Sequence, residues 1–189
     1  MNMPYRQIRA VYTEEAVTVY QAYDPAIATP ALAAQRFVAP FKRERMTWIK
    51  PSFLWMMYRC GYATKPGQTR VLAIELSRDA FEWALAHSCL SHGAQHKRDY
   101  PVRVQWDPER DVHLNALPYR SIQIGLSGQA VDRYLDGTLT ITDVTQRAHD
   151  IHQALRDGAD VTPLLPAERP YPLSDDLKTV IGATMASEA

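Results

Sequence analysis

The run Arg45–Arg59 (RMTWIKPSFLWMMYR) holds two Trp, one Phe, one Tyr and three bases in fifteen residues, and it limits what the chain can fold into. Pro51 has no N–H to give to a ladder but suits a first helical turn, so it divides the run. Thr47–Ile49 reads as a strand, and a helix starts at Pro51 and reaches about Arg59. Phe53, Met57 and Cys60 share one face of that helix and Leu54 and Tyr58 lie beside it, so almost all of it must be buried. The polar members have a second use. Aromatic faces beside guanidinium and ammonium groups suit a planar phosphorylated ligand, because rings stack on a base while cations hold phosphates. Trp48, Lys50 and Arg59 are the candidates for that role, with Arg43 and Arg45 closing from the connector.

The remaining pattern alternates strands and helices without a regular βαβ period. Residues 7–12 and 17–23 are β-branched and aromatic and read as a hairpin. An Ala-rich helix follows from Pro25, capped by Asp24 and interrupted at Pro30. Residues 70–76, 102–106 and 121–126 read as strands, with helices over 78–88, 128–135 and 143–156. Residues 89–100 read as a polar loop and 107–111 as an Asp-Pro turn. The class is α+β, with a mixed or mainly antiparallel split sheet and packed helices. Residues 1–160 form the single domain. Residues 161–189 carry four prolines between 162 and 172 and read as an extended C-terminal arm.

The net charge is zero, but its distribution is uneven. Residues 25–74 contain eight bases and one acid, a local charge of +7, while residues 132–189 carry −5. A local positive field gathers phosphate-bearing ligands even on a neutral protein. No GxxxxGK[ST] or GxGxxG loop is present, which disfavours ordinary kinases, ATPases and Rossmann dehydrogenases. Two cysteines and an N-terminus without an apolar run point to the cytoplasm, and no stretch is long and apolar enough for a membrane span.

Further candidates lie outside the aromatic run. Arg9, on the first strand, suits bidentate phosphate binding or an ion pair with Glu14, Glu15 or Asp24. Tyr12, Tyr20 and Tyr23 suit either a ring-sandwiching role or ordinary strand packing. Asp107 and Glu109 could orient a ribose hydroxyl or act as a general base, or could simply close a turn. His87, Cys89, His92 and His96 are close in sequence but lack the second ligand pair of a zinc site, so no metal is expected.

The segments around Arg6–Tyr12, Val19–Tyr23, Arg45–Arg59 and Arg120–Leu126 resemble the domain-of-unknown-function 4291 family, which implies no activity. A second resemblance is to NAD-dependent ADP-ribosyltransferases, with their split β core, first-strand Arg and late carboxylate. It implies NAD as cofactor, Arg9 on its phosphates, tyrosines about nicotinamide and Asp107 or Glu109 as the catalytic carboxylate. No Ser-Thr-Ser triplet is present, and Gln105-Trp106-Asp107 only approximates a Gln-x-Glu. The expected function is thus a nucleotide-binding enzyme, and the second resemblance implies one of the ADP-ribosyltransferase type. The alternative is a non-catalytic single-stranded nucleic-acid-binding module in which Trp48 or Trp55 stacks bases.

Overall fold

The computed structural model describes residues 4–92 and 100–184. Its elements are β1 (Arg9–Ala10), β2 (Ala16–Tyr23), α1 (Pro25–Ala34), β3 (Thr47–Ile49), α2 (Phe53–Cys60), β4 (Arg70–Ser77), α3 (Arg78–Ala86) and β5 (Ser88–Leu90). They continue as β6 (Val102–Arg110), β7 (Ala116–Leu126), α4 (Gln129–Asp136), β8 (Thr138–Asp143), α5 (Thr145–Arg156), β9 (Arg169–Pro170) and α6 (Asp175–Ile181). The strands make three sheets, ordered β2-β4-β8, β3-β7-β6-β5 and β1-β9, in which only β5 and β6 run parallel. This is the α+β, mainly antiparallel arrangement expected from the sequence.

Side-chain alternation decides what each sheet face does. In β6, Val102, Val104 and Trp106 enter the main core, and in β7 Ile122, Ile124 and Leu126 do the same. The alternate residues face the other way. The register sets Gln105 beside Gln123, Asp107 beside Ser121 and, from β3, Trp48 beside Gly125, so one face of this sheet is a polar floor. The β2 sheet sends Val17, Val19, Leu72 and Ile74 into the main core. Its reverse side, through Tyr20 and Val71, meets Phe53, Met56 and Met57 of α2 and Ala148 and Ile151 of α5 in a second apolar cluster.

Four local expectations need correction. The opening hairpin is reduced to a Tyr12–Val17 bridge: β1 pairs with β9, and β2 finds a full-length partner in β4. Pro30 does not interrupt α1, because Asp24 caps the Ala26 N–H, and burial of Ala28 and Ala31 holds the helix across the one lost backbone bond. Asp107–Asp111 is not a turn. β6 continues to Arg110 through a register shift between Pro108 and Arg110, where a Pro is tolerated, and the turn instead forms where Asp111 accepts from the Asn115 backbone N–H. Cys89 lies in β5 rather than in a loop, while residues 93–99 of that segment are outside the described residues.

The C-terminal segment was expected to be an extended arm, yet it is built into the fold as far as Thr184. β9 completes the β1 pair, α6 ends on the fully buried Ile181, and the Trp106 indole donates to the Ile181 carbonyl at 2.7 Å. No helix among the described residues is long and apolar enough to cross a membrane.

Candidate functional site

The polar floor opens into a cleft of about 570 Å³ between the Phe41–Met46 connector, β3 and α2. Lys42, Arg45, Lys50 and Arg59 line it, and among the described residues no acid does. None of the four forms an ion pair with a described residue. Lys42, Arg45 and Arg59 are exposed. Tyr23, Phe41 and Trp48 supply aromatic surface, and Gln21, Gln105 and Gln123 supply amides.

Behind the cleft, a buried network fixes its rear wall. The Tyr134 hydroxyl donates to Gln21 Oε1 at 2.7 Å, the Gln21 amide donates to Thr47 Oγ1 at 2.6 Å, and the Tyr23 and Thr47 hydroxyls are 3.1 Å apart. Burial, tempered by its hydrogen bonds to Thr47 and Gln21, pushes the Tyr23 phenol up to about 12, so it stays neutral. Satisfied buried networks of this kind rigidify their surroundings.

Lys50, a candidate phosphate-binding cation just ahead of α2, does not lie out in solvent. It is only 6% exposed. Its backbone bridges to Tyr20, which draws the residue inward, and its Nζ donates to the Trp48 carbonyl at 3.0 Å beside the Trp55 ring. Burial, reinforced by the Arg59 charge, lowers its pKa to about 7. Asp107 opposes that shift slightly but is held elsewhere, accepting from Gln105 at 3.0 Å and from Gln123 at 2.7 Å.

The structure therefore brings Trp48, Lys50 and Arg59 together, with Asp107 one amide away, and leaves the other sequence candidates apart. Arg9 does not share the cleft: it sits on the β1–β9 pair and donates to the Glu168 carbonyl. Tyr12 packs edge-on against Tyr171, under the Arg169 guanidinium. Tyr20 is core, edge-on to Phe53. Glu109 is 7% exposed and accepts from the Ser52 hydroxyl at 2.9 Å. Burial raises its pKa above the usual carboxylate range. None of Arg9, Tyr12, Tyr20 and Glu109 lines the cleft, although Arg9 and Glu109 both lie near enough to Glu168 to act on its carboxyl.

Glu168 is a residue the sequence reading missed. Its carboxylate tucks under α2 and accepts from the Phe53 N–H at 2.7 Å. Burial, with Glu109 nearby, raises its pKa to about 8. The only signal in the sequence was a lone acid among prolines. His87 stacks on Trp83, His96 is outside the described residues, and no group of three metal-ligating side chains occurs among the described ones.

Gly125 matters to the cleft because a Cβ there would stand 2.9 Å from the Trp48 ring. Gly125→Ala is expected to displace that ring and weaken any ligand that stacks on it, with a shift in Trp fluorescence as the direct readout. An unchanged emission spectrum would mean that Trp48 is not held by this contact.

The fold and cleft define an α+β domain with a basic, aromatic recess. The family model described as domain of unknown function (DUF4291) matches residues 7–171, and the chain belongs to that family. No curated protein is significantly similar to it.

Proposed function

We propose that the cleft binds a nucleotide or another planar, phosphorylated small molecule. The observation that carries this reading is a recess lined by three exposed basic residues and a buried lysine, with no acid among the described lining residues and ring faces beside them. A volume of about 570 Å³ is within the range of small-molecule sites. Lys42, Arg45 and Arg59 would hold the phosphates, Trp48 and Tyr23 the ring, and the glutamines its polar edge. NAD, the ligand implied by the ADP-ribosyltransferase resemblance, belongs to this class. Asp107, hydrogen-bonded to the lining Gln105 and Gln123, would be the carboxylate to orient a ribose hydroxyl or accept a proton.

Calorimetric titration with AMP, ATP, NAD, ADP-ribose and a short single-stranded RNA tests the reading. Saturable binding of a mononucleotide or dinucleotide is expected, falling at least about tenfold in Arg59→Ala, the scale of one charge-assisted contact. Because Arg59 is exposed, melting of that variant should be unchanged. Binding of RNA alone would replace the small-ligand reading with the nucleic-acid one, and no binding of any of the five would end both.

A further inference from the structure

Lys50 differs from the other cations of the cleft. Lys42, Arg45 and Arg59 are exposed, whereas the Lys50 amine is buried at the foot of the recess with no carboxylate paired to it. Its one protein acceptor is the Trp48 carbonyl, two residues back on the same chain edge. An ammonium carries three donors and no lone pair, and the described residues meet only one of those donors. A neutral amine fits better. One N–H satisfies the Trp48 carbonyl, and the lone pair is left for whatever occupies the recess.

From this geometry we infer that Lys50 is a nucleophile toward an aldehyde or ketone that carries a phosphate, forming an imine with it inside the cleft. The inference rests on the anion-binding reading above, since the exposed cations must first hold the phosphate. The Lys50 lone pair attacks the carbonyl carbon. The resulting carbinolamine loses its oxygen as water, taking the protons shed by nitrogen, and leaves a C=N bond to Nζ. No oxidant or reductant is consumed.

The groups facing Lys50 favour the unprotonated amine. Burial first, and then the Arg59 charge on α2, oppose a further positive charge, a recognised way to activate a lysine. Asp107 on β6 and the Cys60 thiol on α2 act the other way and more weakly. The Tyr23 phenol of β2 is neutral. The balance brings the amine to about 7, so about half of it is unprotonated at neutral pH. For an ordinary lysine that fraction is under about one in a thousand.

Pyridoxal 5′-phosphate, a planar phosphorylated aldehyde, is a suitable probe. The full chain is incubated with it at pH 7, reduced with borohydride, digested and mapped by mass spectrometry. One adduct on Lys50 is expected, suppressed by inorganic phosphate, and absent with Lys50→Gln. Pyridoxal without its phosphate should give at least about tenfold less, the scale of one charge-assisted contact. If Lys50→Gln does not fold, trace acetylation of the unmodified protein across pH supplies a second measurement. Lys50 should then gain reactivity through about pH 7, well below the range of an ordinary lysine. Adducts spread over surface lysines, or Lys50 reactivity that rises only near pH 10, overturn the inference. Phosphate-competed binding without a Lys50 adduct overturns the nucleophile and leaves the anion cleft standing. Absence of both binding and adduct removes the two together.

Discussion

Glu168→Gln is expected to be more stable than the parent protein at pH 8, by an amount of order 4 kcal/mol, with the difference shrinking as pH falls toward 4.5. The Glu168 carboxyl titrates near 8 in the folded protein against 4.5 as a free group. Between those values the folded chain holds a proton that the unfolded chain has released, so stability falls as pH rises through the window. Gln still accepts the Phe53 N–H but has no charge to bury. Glu109 is raised by burial in the same direction and adds to the descent. Lys50 acts with the opposite sign. Its folded value of about 7 lies below the ordinary 10.5, so above pH 7 the unfolded chain is the one holding the extra proton, and stability rises with pH. The two limbs should leave a stability minimum near pH 7 to 8, with a limiting slope of about 1.4 kcal/mol per pH unit for each proton. Denaturant midpoints across the range test this. A Glu168→Gln profile parallel to the parent's at every pH would show that the carboxylate is not buried in solution.

The cleft was partly legible in the sequence because much of it is local. Trp48, Lys50 and Arg59 lie within twelve residues, and Pro51 places them on a strand and on the helix that follows it. Alternation also put Gln105 and Asp107 on one face without any knowledge of partners, and the structure has them hydrogen-bonded. What could not be read was whatever depends on register. Gln123 reaches Asp107 only because β6 and β7 pair as they do, and Tyr134 reaches Gln21 from 113 residues away. Arg9 shows the converse error. Its position on an apolar strand suggested a cleft, but which sheet that strand joins was decided by β9, a two-residue element in a proline-rich segment with no strand signal. Glu168 was invisible for the same reason. The burial of Lys50 was missed because Pro51 marks a helix start but says nothing of the Tyr20 bridge that holds the preceding residue inside.

Phe53→Ala should be the most damaging single truncation in α2, costing about 3 to 5 kcal/mol, the usual range for removing a buried aromatic ring. Phe53 is 1% exposed, meets Tyr20 edge-on at 5.4 Å and lies in the second apolar cluster with Met56 and Met57. Trp55 is the larger side chain and nearly as buried, at 6%, but it lies outside both apolar clusters and its indole N–H has no partner among the described residues. Trp55→Ala therefore returns an unmet donor to water along with the lost packing and should cost less than Phe53→Ala. Its larger effect should fall on Lys50, whose amine the Trp55 ring helps to cover: water admitted there would raise the lysine pKa and slow its reaction at neutral pH. Chemical denaturation and the pH dependence of Lys50 acetylation, measured on both variants, separate the two effects. A larger stability loss in Trp55→Ala than in Phe53→Ala, with Lys50 reactivity unaltered in either, would place the anchor of α2 on the polar floor rather than in the second core, and the covering role given to Trp55 would be wrong.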